Sequence, residues 1–253
     1  MKKIRYLLLI IVIMICIFFY QDPYAMEESK ILMAPTFENI LGCDNLGRDI
    51  FSRLLLGSFY TLAIAFLSIS LSVITGTIIG SLAGYFGKGI DVIIMSIVEV
   101  IMSIPGILIA LGIIIILGTG FHSLIVAIFV IYIPRCVNVV RGLVKKEKNM
   151  EYVIAVKTYG VSDLRIIYRH ILPNILKSVS VSFTTGFAGA ILTEAGLGYL
   201  GLGIQPPYPT WGNMLNQSQS YFLSAPWFTI APGLAIIFII YQIKKLEKRG
   251  RKY

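Results

Sequence analysis

The sequence is poor in charged residues and in the residue types that build soluble catalytic or metal sites. Asp, Glu, Lys and Arg make up 14% of 253 residues, whereas soluble domains carry roughly a quarter. This deficit excludes an ordinary soluble domain. The three cysteines (Cys16, Cys43 and Cys136) have no CxxC or CxxH spacing, which argues against a disulfide or structural-metal framework.

Motifs of self-sufficient enzymes are also missing. His122 and His170 lie far apart, and no GxSxG or HExxH pattern accompanies them. No GxxxxGK[ST] pattern is present, so this chain cannot cradle nucleotide phosphates in a P-loop. We therefore expect no catalytic residue, no metal and no cofactor bound by this chain.

Long apolar runs dominate what is present, and 57% of the residues are hydrophobic. Runs of this length are typical of transmembrane helices rather than buried core helices. The predicted fold is all-α, a polytopic membrane helix bundle with about six spans. The predicted spans are residues 6–20, 57–85, 92–117, 123–140, 176–203 and 227–243.

The N-terminal segment, residues 1–20, has two interpretations. Its basic start and short apolar run resemble a signal peptide, but no small-x-small cleavage site follows, which favours a retained first transmembrane helix.

The basic residues predict the orientation. With both termini in the cytoplasm, nearly all Lys and Arg face inward, as the positive-inside rule requires. The net charge of +9 then reflects topology rather than nucleic-acid binding. This places the acidic segment 21–56 outside the cell membrane, and within the core, 57–253, it places loop 143–175 in the cytoplasm.

That loop contains a predicted helix–turn–helix over residues 151–174. Gly160 suits a left-handed helix stop, Ser162 or Asp163 suits the next cap, and Pro173 is expected to end the second helix. The predicted apolar faces are formed by Tyr152, Ala155, Val156 and Tyr159, then by Leu164, Ile167 and Ile171. An amphipathic element of this kind could rest on lipid headgroups or dock a soluble partner, and the pattern alone favours neither.

The same stretch resembles the EAA loop of ABC-importer permeases. Four residues fall at matching positions: Ala155, Gly160, Leu172 and Pro173. Three depart from the family pattern: Ile154, Val156 and His170. The ending RHILPN, residues 169–174, is common in the peptide-and-nickel branch of the family.

Other stretches agree with this branch. Residues 41–58 (LGCDNLGRDIFSRLLLGS) and 193–215 (TEAGLGYLGLGIQPPYPTWGNML) are similar to its signatures, as are AGYFGKGID at 83–91 and SIPG at 103–106. The resemblance therefore runs from about residue 42 to the end of the chain.

The resemblance implies an importer-permease (MetI-like) fold and a permease subunit that imports short peptides. A nickel or metal-chelate importer of the same branch is the main alternative, and a self-sufficient secondary transporter is a more distant one. The implied partners are a second related permease, two ATPase subunits that hold ATP and Mg, an extracellular solute-binding protein and membrane lipid. The implied ATPase-coupling residues are Glu151, Ala155, Gly160, Asp163, His170, Leu172 and Pro173.

Charged residues inside predicted spans are costly in lipid, so Glu99, Glu194 and Arg135 must face protein or a watery path. They either line the translocation path or form structural contacts, and Arg135 is a plausible partner for one glutamate. Gly76, Gly80 and Gly84 form GxxxGxxxG, which predicts close helix packing, either within the chain or with the partner permease.

Two outer features are candidate contacts for the binding protein. Asp44, Arg48 and Asp49 form either a structural ion-pair cluster, which we favour, or a solute contact. The stiff loop containing Pro206, Pro207 and Trp211 suits the binding protein, or the membrane interface through Trp211.

Overall fold

The computed structural model describes residues 19–250, and the regular secondary structure within this range is helical. No β-sheet occurs among these residues; one isolated bridge pairs Cys43 with Asp49. The all-α prediction is confirmed. The predicted first helix, residues 1–20, lies almost wholly outside the described range.

The described residues form eight α-helices, which we number in chain order. They are α1 (Ile50–Phe86), α2 (Lys88–Ser103), α3 (Gly106–Leu117), α4 (Phe121–Glu147), α5 (Glu151–Thr158), α6 (Asp163–Tyr199), α7 (Trp211–Ser218) and α8 (Pro226–Gly250).

Four of these helices, α1, α4, α6 and α8, are long and apolar enough to cross a bilayer. The pair α2 and α3 counts as a fifth span if it crosses as one unit, although it bends by 90°. The bend lies at Pro105, because a residue before proline is pushed out of the helical region; Ile104 is extended, with φ −93° and ψ 128°.

Pro173 does not end its helix, contrary to the prediction. A π-helical turn at Ile167–Ile171 precedes it, and the Leu172 N–H donates to the Ile167 carbonyl. A proline ring normally clashes with the carbonyl four residues earlier. The wider turn moves those carbonyls aside, so α6 continues through Pro173.

The chain divides into two compact units. The first comprises the residues up to Leu62 with Ala195–Phe238, and the second comprises Ala63–Glu194 with the residues from Ile239 onwards. The first has an apolar cluster around Ile50, Met214 and Phe228. The second has a cluster of buried valines and isoleucines on α4, α5 and α6, described below.

Inside the second unit, α1 packs closely on α4 along its glycine stripe. A Cβ on Gly76 would lie 2.4 Å from the Cys136 Cβ, and a Cβ on Gly80 would lie 2.7 Å from the Val137 carbonyl oxygen. On Gly84 it would lie 2.7 Å from a backbone carbonyl of α4. The stripe therefore provides close approach between two helices of this chain.

Candidate functional site

The segment 151–174, which we call the hairpin, contains α5, a tight turn and the start of α6. Gly160 has φ +73°, and its N–H donates to the Lys157 carbonyl at 3.1 Å. Nothing lies within 4 Å of the position a Cβ would take on Gly160. Glycine is therefore needed here for the backbone conformation, not for close packing. Ser162 occupies the N-cap position of α6 without a side-chain capping bond.

The hairpin is fixed to the rest of the second unit by an apolar core. Val153 of α5 and three isoleucines of α6 (Ile166, Ile167 and Ile171) are buried with Val140 and Val144 of α4 and with Tyr85 at the end of α1. Val156 and Val161 pack against this cluster. The hairpin is thus a packed element of the unit and not a free loop.

The opposite face of the hairpin is exposed and apolar. It carries the side chains of Ile154 (54% exposed), Tyr159 (86%), Leu164 (67%) and Tyr168 (78%). We call these four residues the exposed hairpin face. The predicted apolar faces are divided in the structure. Tyr159 and Leu164 are exposed, whereas Ile167 and Ile171 are buried in the core beside Val153.

Polar contacts close the base of the hairpin. The Tyr152 hydroxyl donates to Glu147 at 2.7 Å and accepts from the Asn174 amide at 2.7 Å. Burial and the hydrogen bond to Glu147 raise the pKa of Tyr152 above its usual value. Asn174 also donates to the His170 carbonyl at 3.0 Å. These bonds join the end of α4, α5 and α6.

The residues implied as coupling residues lie along this hairpin. Glu151, Ala155, Gly160 and Pro173 are exposed, whereas Asp163, His170 and Leu172 are half-buried. Asp163 accepts a hydrogen bond from the Tyr85 hydroxyl at 2.6 Å. Sequence reasoning missed Tyr85, although it lies in the AGYFGKGID stretch that carried part of the resemblance.

Glu99 lies on α2 and lines an open groove of about 230 Å³ in the second unit. Asp91 and Arg141 line the same groove and form a bidentate ion pair, with one Arg141 Nη2–Asp91 Oδ2 distance of 2.6 Å. The arginine of this groove is therefore Arg141, which sequence reasoning did not single out; Arg135 is exposed elsewhere on α4. Glu194, on α6, is fully buried.

In the first unit, the charged residues before and at the start of α1 form a buried cluster. Asp44 Oδ2 lies 2.7 Å from Arg48 Nε and 3.3 Å from Arg53 Nε. Asp49 accepts from Asn39 at 2.9 Å and from the Ser52 backbone at 2.8 Å. All six of these residues are buried. In this arrangement the carboxylates of Asp44 and Asp49 bind groups of the chain itself.

Trp211 is likewise buried and contacts other residues of the first unit. It is only 4% exposed, its indole N–H donates to the Leu54 carbonyl at 3.2 Å, and its backbone N–H donates to Thr61 at 3.2 Å. Its ring is therefore not presented to lipid or to a soluble partner, which corrects that part of the interpretation. Pro206 and Pro207 are exposed.

Comparisons with known proteins agree with this architecture. Residues 76–246 match the family described as binding-protein-dependent transport system inner membrane component. The chain is 39% identical to the dipeptide transport system permease protein DppC of Alkalihalophilus pseudofirmus, over 85% of this chain and 70% of that one. It is 39% identical to the glutathione transport system permease protein GsiD of Pectobacterium atrosepticum, over 87% and 75%.

A solved structure shares the fold. The MetNI methionine ABC transporter, in an inward-facing conformation, superposes with a TM-score of 0.67 at 20% identity, over 79% of this chain and 95% of that one. With the family match covering more than half of the chain, these findings establish its class. The chain belongs to the family of binding-protein-dependent transport system inner membrane components, and it is a multi-pass, non-catalytic permease subunit of an ABC importer.

Proposed function

We propose that this chain is one of two related permeases in an importer that takes up short peptides across the cell membrane. Two separate ATPase subunits drive transport from the cytoplasmic side, and an extracellular binding protein delivers the solute. Support for the solute class comes from the relatives, which are named as transporting dipeptides, di- and tripeptides or glutathione.

The exposed hairpin face is the observation that carries the proposal. Four large apolar or aromatic side chains project from an element that is fixed from behind by a buried core. A soluble partner with an apolar groove fits such a helix-based surface, since docking buries these side chains while the hairpin keeps its shape. The proposed occupant of this surface is the ATPase subunit.

The charges near the hairpin support its cytoplasmic placement. Lys145, Lys146 and Lys148 precede it, and Arg165 and Arg169 lie on it. Basic residues at the ends of membrane helices favour the cytoplasmic side. Both termini then lie in the cytoplasm.

Site-specific photo-crosslinking tests the docking. A photoreactive phenylalanine at Tyr159 is expected to capture the ATPase in intact cells. The same group at Leu223, which is 94% exposed and lies in the first unit, is the matched control and is expected not to capture it. Capture of only lipid or of the chain's own helices from position 159 contradicts the proposal.

Uptake assays test the solute. Cells lacking this chain are expected to lose uptake of a labelled dipeptide or tripeptide and to regain it when the chain is restored. Loss of nickel uptake with unchanged peptide uptake would instead assign the chain to metal import.

A further inference from the structure

Tyr85 occupies an unusual position at the end of α1. It is 2% exposed and belongs to the apolar core that fixes the hairpin, together with Val144, Val153 and Ile166. Directly after it the backbone turns sharply, with φ +63° at Gly87 and φ +45° at Lys88, and α2 begins. Tyr85 thus lies at the corner between α1 and α2.

Tyr85 contacts three successive segments of the hairpin region through its hydroxyl, its carbonyl and its ring. Its hydroxyl donates to Asp163, the first residue of α6, at 2.6 Å. Its carbonyl accepts from the Lys148 ammonium, which also lies 5.2 Å from the ring centroid. Lys157, on α5, lies 6.0 Å from the same centroid and 4.0 Å from the Asp163 carboxylate.

These contacts connect the hairpin to α1, a helix to which the hairpin is not directly joined along the chain. The chain joins the hairpin directly to α4 and to the rest of α6, but α1 is connected to it only by noncovalent contacts. Tyr85 links the end of α1 to the residue after α4, to α5 and to the start of α6. A displacement of the hairpin therefore pulls on α1 through this side chain and, across the Gly87 turn, on α2, which carries Glu99.

We infer that Tyr85 is a positioning residue that transmits movement of the hairpin to α1 and α2, with its hydroxyl bond to Asp163 as the directional link. This inference rests on the proposed docking of the hairpin to the ATPase. The aromatic ring supplies packing, whereas the hydroxyl bond fixes which point of the hairpin moves with α1. A hydrogen bond to a carboxylate is stronger and more directional than apolar contact.

The Tyr85→Phe variant separates these two contributions, because it keeps the ring and removes only the hydroxyl. Asp163→Ala is a second variant, which removes the carboxylate that accepts the bond. Each is to be reconstituted as the complete importer in proteoliposomes, with ATP hydrolysis and peptide uptake measured on the same preparation. The matched control is Tyr132→Phe, which removes a different hydroxyl contact in the same unit, 3.2 Å from Thr193.

We expect near-normal ATP hydrolysis in both variants but roughly threefold to tenfold less peptide imported per ATP. Loss of one hydrogen bond to a charged group shifts an equilibrium by about tenfold, and the remaining ring packing reduces this effect. The double variant is expected to match the single variants, since both remove the same bond. Tyr132→Phe is expected to keep the wild-type ratio.

An unchanged ratio of uptake to hydrolysis in Tyr85→Phe and Asp163→Ala overturns the inference. So does a parallel loss of both activities with reduced thermal stability, which indicates a purely structural role. Failure of the inference is distinguishable from failure of the proposed function: in the first case the Tyr159 crosslink to the ATPase persists, and in the second it is absent from the wild-type protein.

Discussion

The glycine stripe between α1 and α4 permits a quantitative test with a matched control. In the second unit, a Cβ on Gly80 would lie 2.7 Å from the Val137 carbonyl oxygen and 2.9 Å from the Val140 Cβ. Neither neighbour is the flexible end of a side chain, so Gly80→Ala must push the two helices apart. Gly142, on α4 itself, has nothing within 4 Å of the same position.

The expected magnitudes have opposite signs at the two sites. Overpacking a close contact costs about 1–3 kcal/mol, while replacing a helical glycine by alanine contributes roughly 0.5–1 kcal/mol of helix stability. Gly80→Ala should therefore lower the free energy of unfolding by about 1–2 kcal/mol. Gly142→Ala should leave it unchanged or raise it by up to about 1 kcal/mol.

Thermal unfolding of the purified protein in detergent, followed by the loss of monomer on size exclusion, measures both variants. For a chain of this size each kcal/mol corresponds to about 2–4 °C, so Gly80→Ala should lower the midpoint by roughly 2–8 °C. Gly142→Ala should not lower it. Equal midpoints for the two variants would refute the reasoning that the stripe is in tight contact with α4.

Two further predictions concern the first unit. Burial raises the pKa of the Cys43 thiol from 9.0 to about 11. Because the thiolate is the reactive form, Cys43 should resist alkylation in the folded protein at mildly alkaline pH, as measured by peptide mass spectrometry. The buried neutral thiol should also stabilise the folded state, and this stabilisation should decline as the pH rises from 9.0 to about 11. Equal labelling rates in folded and denatured protein contradict this. Asp44→Asn leaves the buried Arg48 and Arg53 without this carboxylate and should lower the free energy of unfolding by about 3–5 kcal/mol. Glu27→Gln, at an exposed ion pair, should lower it by less than about 1 kcal/mol. Similar unfolding midpoints for the two variants would show that the cluster is not structural.

Sequence patterns alone determined the class of the molecule and much of its local structure. The apolar runs predicted the spans that become α1, α4, α6 and α8, because a bilayer-length apolar run has few other stable environments. The turn at Gly160 was predictable, since a left-handed residue between two helical stretches favours glycine. The ordered motifs predicted the importer-permease family, which the comparisons confirm.

Tertiary packing decided which side of the hairpin faces the core. Helical spacing alone allows more than one phase, and the burial of Val153 and Ile166 turns Tyr159 and Leu164 outward. The π-helical turn that lets α6 continue through Pro173 is likewise not predicted by the rule that proline ends a helix.

Long-range partners were also beyond the sequence, because periodicity describes one element at a time. Nothing in the spacing of residues indicates that Tyr85 meets Asp163, that Glu99 shares a groove with Arg141, or that the Trp211 indole binds a backbone carbonyl. These contacts join residues far apart in the chain. They form only when separate helices pack, so only the tertiary structure identifies them.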